Sequence, residues 1–248
     1  MQEIFSRTEM LLGQEAMQRL AKCRVAVVGV GGVGGYVVEV LARSGVGAID
    51  VVDNDLIAAS NVNRQIIALS TNVGQPKVDA IRDRILAINP ECHVTTWQMF
   101  YLPANAHELD LSVYNYVVDC IDTVAAKMEL IRQCKRLDVP IICSMGAANK
   151  YDSTAVRVTD ITNTRMDPLA KTLRKRLRRE GINHFKCVYS PEVPRVPAVG
   201  DDGNRIPASV AWVPAAFGLA LGSEVIADLT TDCQGGAPRR HEELIINS

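Results

Sequence analysis

The chain has 248 residues, 48% of them hydrophobic and 22% charged, with a formal net charge of −1. That is enough apolar material for a compact core, and the near-neutral balance excludes a global electrostatic attraction to nucleic acid or membrane. Residues 1–7 carry no basic-then-apolar leader, so a cytoplasmic location with reduced thiols is expected.

In chain order, Gln14 to Lys22 reads as a short helix ahead of the first strand. Val25-Ala26-Val27-Val28 then passes into Gly29-Val30-Gly31-Gly32-Val33-Gly34 and a helix from Gly34 to Ser44. A strand of β-branched residues that feeds a glycine turn and a helix brings backbone N–H groups and the positive helix end to a phosphate chain. Gly29 makes the tight turn, Gly31 lets the backbone approach phosphates, and Gly34 lets the helix lie close on the strand. A second strand, Ala48 to Val52, ends in Asp53, at about the 20-residue offset where an acidic side chain takes ribose hydroxyls.

Many nicotinamide and flavin proteins share that much, and the following residues separate them. Asp55, then Asn61-Val62-Asn63-Arg64-Gln65 and Lys77, add two cations beside the phosphate cradle, which suits a triphosphate. Singly, Asp53 and Asp55 also read as strand-end caps, and Arg64 and Lys77 as solvated charges. A helix over Asn72 to Ile88 places Val78, Ile81, Ile85 and Ile88 at helical spacing, and Cys92 to Trp97 reads as a third strand. Tyr116-Val117-Val118-Asp119 is another apolar strand, followed by Asp122, a carboxylate suited to magnesium held together with substrate phosphates. Ala125 to Leu137 reads as helix, and Pro140 to Gly146 as strand and turn. Strands alternating with helices predict an α/β, Rossmann-like, doubly wound and mostly parallel sheet with right-handed crossovers.

Gly29-x-Gly31-Gly32-x-Gly34, Asp53-x-Asp55, Asn61-x-Asn63-Arg64-Gln65, Lys77 and Asp119-x-x-Asp122 together resemble the ubiquitin-activating-enzyme superfamily of the ThiF, MoeB and HesA type. Bacterial members of that superfamily adenylate carboxylates. The resemblance implies that Asp53 binds the ribose of ATP, that Asn61, Arg64 and Lys77 take its phosphates, and that Asp122 holds magnesium. Phe5-Ser6-Arg7 matches the opening motif of the superfamily, in whose dimers this arginine reaches the ATP of the neighbouring subunit. Arg7 is therefore a candidate supplied in trans within a homodimer, or else a surface residue near a terminus.

Seven cysteines (Cys23, Cys92, Cys120, Cys134, Cys143, Cys187 and Cys233) contain no Cys-x-x-Cys pair, so no structural zinc is expected. Many superfamily members that act on sulfur carriers have such pairs, and their absence here is a departure from that branch. His93, His107, His184 and His241 lack ligand-like spacing.

The C-terminal part begins with Ala155 to Asp160, which alternates like a half-buried strand. A basic helix over Thr164 to Arg179 sets Leu169, Leu173 and Leu177 on one face and crowds Lys171, Arg174, Lys175, Arg176, Arg178 and Arg179 on the other. Such a run is either a solvated face or a contact for phosphate backbones. Phe185 to Glu192 gives a short strand leading into the proline-rich Pro191 to Pro197, and Val199 to Asn204 reads as a flexible loop. Cys187 in that strand is a sulfur-handling thiol or a packed residue. Ser209 to Gly222 is apolar but ends at Ser223-Glu224, short of a membrane span, and reads as a buried helix opening at Pro214.

Asp167-Pro168-Leu169-Ala170, the basic helix and Cys187-Val188-Tyr189-Ser190 are similar to the tRNA threonylcarbamoyladenosine dehydratase family. That likeness implies one adenylating domain over 1–248, with an ATP-binding part at 1–150 and a substrate-binding extension at 151–248. It also implies a tRNA substrate on Lys171, Arg174, Lys175, Arg178 and Arg179, and leaves open a cysteine-desulfurase or sulfur-relay partner. Two other activities share the glycine turn. One is activation of the C-terminus of a ubiquitin-like sulfur carrier, which has no need of the basic helix. The other is a nicotinamide-dependent oxidoreductase, indifferent to Arg64 and Lys77. A non-catalytic nucleotide sensor is disfavoured by the full set of phosphate and magnesium ligands.

Overall fold

The computed structural model describes residues 3–195, 198–199 and 205–231. A seven-stranded sheet runs in the order β3-β2-β1-β4-β5-β7-β6. Its strands are β1 (Arg24–Val28), β2 (Ala48–Val52), β3 (His93–Trp97), β4 (Tyr116–Asp119), β5 (Ile141–Ser144), β6 (Arg157–Asp160) and β7 (Lys186–Tyr189). All neighbours are parallel except β6, which pairs antiparallel with β7. A short hairpin joins β8 (Ala198–Val199) to β9 (Arg205–Ile206). The expected loop at 200–204 lies outside the described residues, as do Cys233 and His241.

Helices α1 (Ser6–Leu12), α2 (Gln14–Leu20), α3 (Gly34–Arg43), α4 (Lys77–Ile88), α5 (Val124–Leu137), α6 (Pro168–Arg178) and α7 (Trp212–Thr230) surround the sheet. Alternation along β1 divides the core into two layers. Val25 and Val27 face Val37, Leu41, Ile81, Ile85, Phe217 and Leu221, whereas Ala26 and Val28 face Leu130, Ile131, Leu173 and Leu177. In this order the chain leaves β1 and β4 toward opposite edges of the sheet, and the crevice beyond the C-terminal ends of these two strands is where open α/β sheets bind ligands.

Several element boundaries differ from the sequence reading. Residues 72–76 are not helical: Ile57 N donates to Gln75 O at 2.9 Å, and Gly74, at φ +94°, donates to Ile57 O at 2.8 Å. The basic helix starts only at Pro168, after Met166 at φ +62°, where the Asp167 carboxylate accepts from Ala170 N at 2.9 Å. Helix α7 runs past Ser223 to Thr230 because Lys186 Nζ neutralises Glu224 at 2.7 Å and Asp228 at 2.7–2.8 Å. It is long and apolar enough to cross a membrane, but it packs on the sheet with 61% of its most apolar window buried.

Two contacts fix the helices that carry the crevice. A Cβ on Gly218 would lie 2.4 Å from Val33 O and 2.6 Å from Tyr36 Cβ, so α7 meets α3 nearly backbone to backbone. Lys127, fully buried on α5, places its Nζ 2.8 Å from Asp119 Oδ2 at the end of β4 and donates to Ile121 O at 2.9 Å. Burial works against the Lys127 charge, but the Asp119 carboxylate outweighs it and holds the ammonium above its ordinary pKa.

Gly218→Ala forces α7 off α3 and is expected to destabilise the fold by about 1–3 kcal/mol despite better helix propensity, read by urea unfolding. Lys127→Met strands a buried carboxylate and is expected to lower stability by about 3–5 kcal/mol. A shift in that unfolding midpoint worth under about 1 kcal/mol would mean that the Lys127–Asp119 pair does not hold α5 to the sheet.

Candidate nucleotide site

At the end of β1, Gly29 takes φ +89°, and a Cβ there would sit 2.8 Å from Cys120 O. A Cβ on Gly34 would fall 1.8 Å from Gly29 O, so helix α3 can begin at this point only with glycine. Asp53 ties the turn to β2, as its Oδ2 accepts from Val30 N at 2.8 Å and its Oδ1 from Asp55 N at 2.9 Å. The segment after β2 is zipped to the approach of α4, with Lys77 N donating to Asp55 O at 3.0 Å. This brings the buried Lys77 Nζ to 2.6 Å from Asp55 Oδ2 and 3.9 Å from Asp53 Oδ1.

The 58–65 segment forms a second wall. Asn61 Oδ1 accepts from Ala58 N, and Arg64 Nη1 donates to Ser60 O and Asn63 Oδ1, both at 2.8 Å. Gln65 is buried, and its Oε1 has no hydrogen-bond partner among the described residues. A buried acceptor left open beside a glycine turn is the kind of atom that a bound ligand satisfies. Asn63 points elsewhere, its amide donating to Ser209 O at 3.1 Å.

These groups share a cleft of about 540 Å³, within the size range of small-molecule sites. Gly29, Gly31, Gly32, Asp53, Asp55, Asn61, Arg64, Gln65, Lys77 and Asp122 all line it. Gly34 is buried and does not line it. The sequence reading missed other parts of the lining, made by Met99-Phe100-Tyr101, Ser144 to Ala148, Leu169, Pro207, Ser209 and Pro214. Some of this was within reach of a general rule, because Ser144 to Ala148 follow β5 at the ligand-binding edge of the sheet.

Asp122 is exposed in the loop between β4 and α5 and lines the cleft, whereas the other two carboxylates that line it, Asp53 and Asp55, are engaged by Val30 N, Asp55 N and Lys77. Among the described residues no group of three or more His, Cys, Asp or Glu could hold a metal by itself. One carboxylate is nonetheless the donor set that magnesium uses when phosphates supply the remaining oxygens.

Other expected residues lie outside the cleft lining. Arg7 is exposed on α1. Lys171, Lys175, Arg176, Arg178 and Arg179 are exposed on α6, whereas Arg174 turns inward, its Nη1 donating to Thr164 O at 2.9 Å and to the Thr164 hydroxyl. Arg174 thus holds the turn before α6 instead of joining the exposed cationic face. Cys187 is fully buried on β7 beside Cys143 of β5, and burial, aided by Asp160 and Asp167, pushes its thiol well above the ordinary range. That position makes it a packed residue of the sheet.

Known proteins are similar to this chain over nearly its whole length. The model of the ThiF family matches residues 5–243. A tRNA threonylcarbamoyladenosine dehydratase of Bacillus subtilis (strain 168) is 44% identical over 243 residues, covering 93% of this chain and 96% of that protein. Crystal structures of E. coli tRNA N6-threonylcarbamoyladenosine dehydratase superpose well and cover 93% of this chain and 95% of the other. The complex with AMP gives a TM-score of 0.85 at 37% identity, and the complex with ATP 0.84 at 36%. The glycine turn, the converging cations and these matches place the chain in the ThiF family.

Proposed function

We propose that this protein is an ATP-dependent dehydratase of threonylcarbamoyladenosine in tRNA. The observation that carries the reading is the convergence of the glycine turn, Arg64, Lys77 and Asp122 on one cleft that Leu169, near the start of the basic helix, also lines. Similarity to dehydratases over nearly the full chain supports it.

A free carboxylate is a poor electrophile. In the proposed reaction the threonyl carboxylate attacks the α-phosphate of ATP, pyrophosphate leaves, and an acyl-adenylate forms. A nucleophile within the same threonylcarbamoyl group then attacks the acyl carbon and closes a ring. AMP departs with one oxygen of the former carboxylate, so the nucleoside loses the elements of water. The turn N–H groups and the α3 N-terminus would cradle phosphates, and Asp53 would take the ribose. Arg64 and Lys77 would meet charge that builds on the leaving pyrophosphate. Magnesium held by Asp122 and the phosphates would add a further positive charge there.

In this reading residues 1–150 form the ATP-binding part and 151–248 the substrate-binding part of one adenylating domain. The exposed cations of α6 hold tRNA phosphates, the chain acts in the cytoplasm as a homodimer, and Arg7 serves the partner's ATP.

Incubation with ATP, magnesium and bulk tRNA carrying threonylcarbamoyladenosine is expected to give a nucleoside lighter by one water together with AMP, read by nucleoside mass analysis. AMP formed only after a carrier protein is added would move the assignment to carrier activation. Arg64→Ala is expected to slow AMP release by about 10²- to 10³-fold; an unchanged rate would remove Arg64 from the chemistry. Joint replacement of Lys175, Arg178 and Arg179 by Glu is expected to weaken tRNA binding and flatten its salt dependence, by about one unit of slope for each phosphate that is no longer neutralised. An unaltered slope would leave α6 a solvated face.

A further inference from the structure

Beside the cleft stands a cluster of exposed aromatic and cationic groups that the proposed chemistry does not use. Trp212, the first residue of α7, is 44% exposed, and Tyr151 is 51% exposed. Their rings meet edge to face at 5.1 Å and 89°. The exposed Arg195 lays its guanidinium over the Tyr151 ring, 4.6 Å from the centroid.

The cluster is built from three loops locked to each other. Trp212 Nε1 donates to Tyr151 O at 2.6 Å, and the Glu192 carboxylate accepts from Tyr151 N and Asp152 N at 2.9–3.0 Å. Asn149, at φ +61°, accepts from Arg195 N through its carbonyl at 2.7 Å, and its backbone and side chain both bond Ala208 at 2.8 Å. Two of these loops also line the cleft, one through Ser144 to Ala148 and the other through Pro207, Ser209 and Pro214. Next to Tyr151, the buried Lys150 bonds Asp167, the residue that caps the basic helix. The cluster is therefore tied both to loops that line the cleft and, through Lys150, to the cap of α6.

We propose that Tyr151, Trp212 and Arg195 form a stacking platform for an unpaired RNA base adjacent to the nucleoside that enters the cleft. Aromatic rings and guanidinium planes are the surfaces on which splayed-out bases of single-stranded RNA stack, and neither requires a particular sequence. Positive charge on Arg195 and on the neighbouring helix favours a polyanion over an apolar peptide. The platform rests on the tRNA reading and adds to it a contact outside the phosphate-binding groups.

The test uses the chain's two tryptophans. In a Trp97→Phe background the remaining emission comes from Trp212, and titration with bulk tRNA is expected to quench it. Trp212→Ala and Tyr151→Ala are each expected to raise the Kd for tRNA about tenfold, and Trp212→Phe, which keeps an aromatic face, by about threefold or less. The emission titration is made with the platform intact, so it decides the question even if an alanine variant fails to fold. Binding of tRNA with no change in Trp212 emission and with equal Kd in the alanine variants overturns the platform and leaves the tRNA reading standing. Absence of tRNA binding by the wild-type chain overturns both. Emission that responds to protein concentration and not to RNA also overturns the platform, and assigns this face to a second copy of the chain.

Discussion

The tightest constraint in this molecule is the passage of the glycine turn between β1 and β4. Gly29 lies against the Cys120 carbonyl, and Gly34 lies against the Gly29 carbonyl, with space at neither for a methyl group. Such crowding leaves α3 one entry angle, with its N-terminus over the crevice where the sheet order reverses. Everything at the site is referred to that fixed point. Asp53 grips Val30 in the turn, and the backbone bonds between the segments at 55–57 and 74–77 draw Asp55 and Lys77 to Asp53. Pro214, at the head of α7, lies 3.3 Å from where a Gly32 Cβ would be.

Buried ion pairs then set the loops that leave the strands. Lys127 with Asp119 fixes the start of the loop bearing Asp122, and Lys150 with Asp167 joins the loop after β5 to the cap of α6. Both pairs are almost wholly removed from water, where losing one partner costs far more than the intact pair contributes. Their value is geometric: each holds a functional loop to the sheet at a point where backbone ladders have ended. Lys150 adds a contact to the Phe217 ring at 5.7 Å, so the same cation also touches α7.

Legibility in the sequence followed the range of the interactions. Strands β1, β2 and β4 and the glycine turn were readable because hydrophobic runs and backbone crowding are written locally. Helix starts were less so: the helical periodicity sits at Val78, Ile81, Ile85 and Ile88, whereas Gly74 at φ +94° and the bonds from Ile57 and Gly74 hold 72–76 in a turn ahead of it. The continuation of α7 past Ser223 depends on Lys186, a residue 38 positions from Glu224, and no local pattern announces it. Arg174 looked like one cation in a run of six, yet the Thr164 carbonyl and hydroxyl make it a fastening. The wall from Ser144 to Ala148 is made mostly of small residues whose main distinction is their place at the end of β5.

Turning Arg174 inward changes the shape of the positive surface. Apart from Lys171, the exposed cations of α6 gather toward its C-terminal half, whereas Leu169 at the other end borders the cleft. From Leu169 to Arg178 the helix rises about 14 Å. A ligand that touched both ends of that interval would have to be longer than one nucleoside, so the spacing defines a length and not a base sequence.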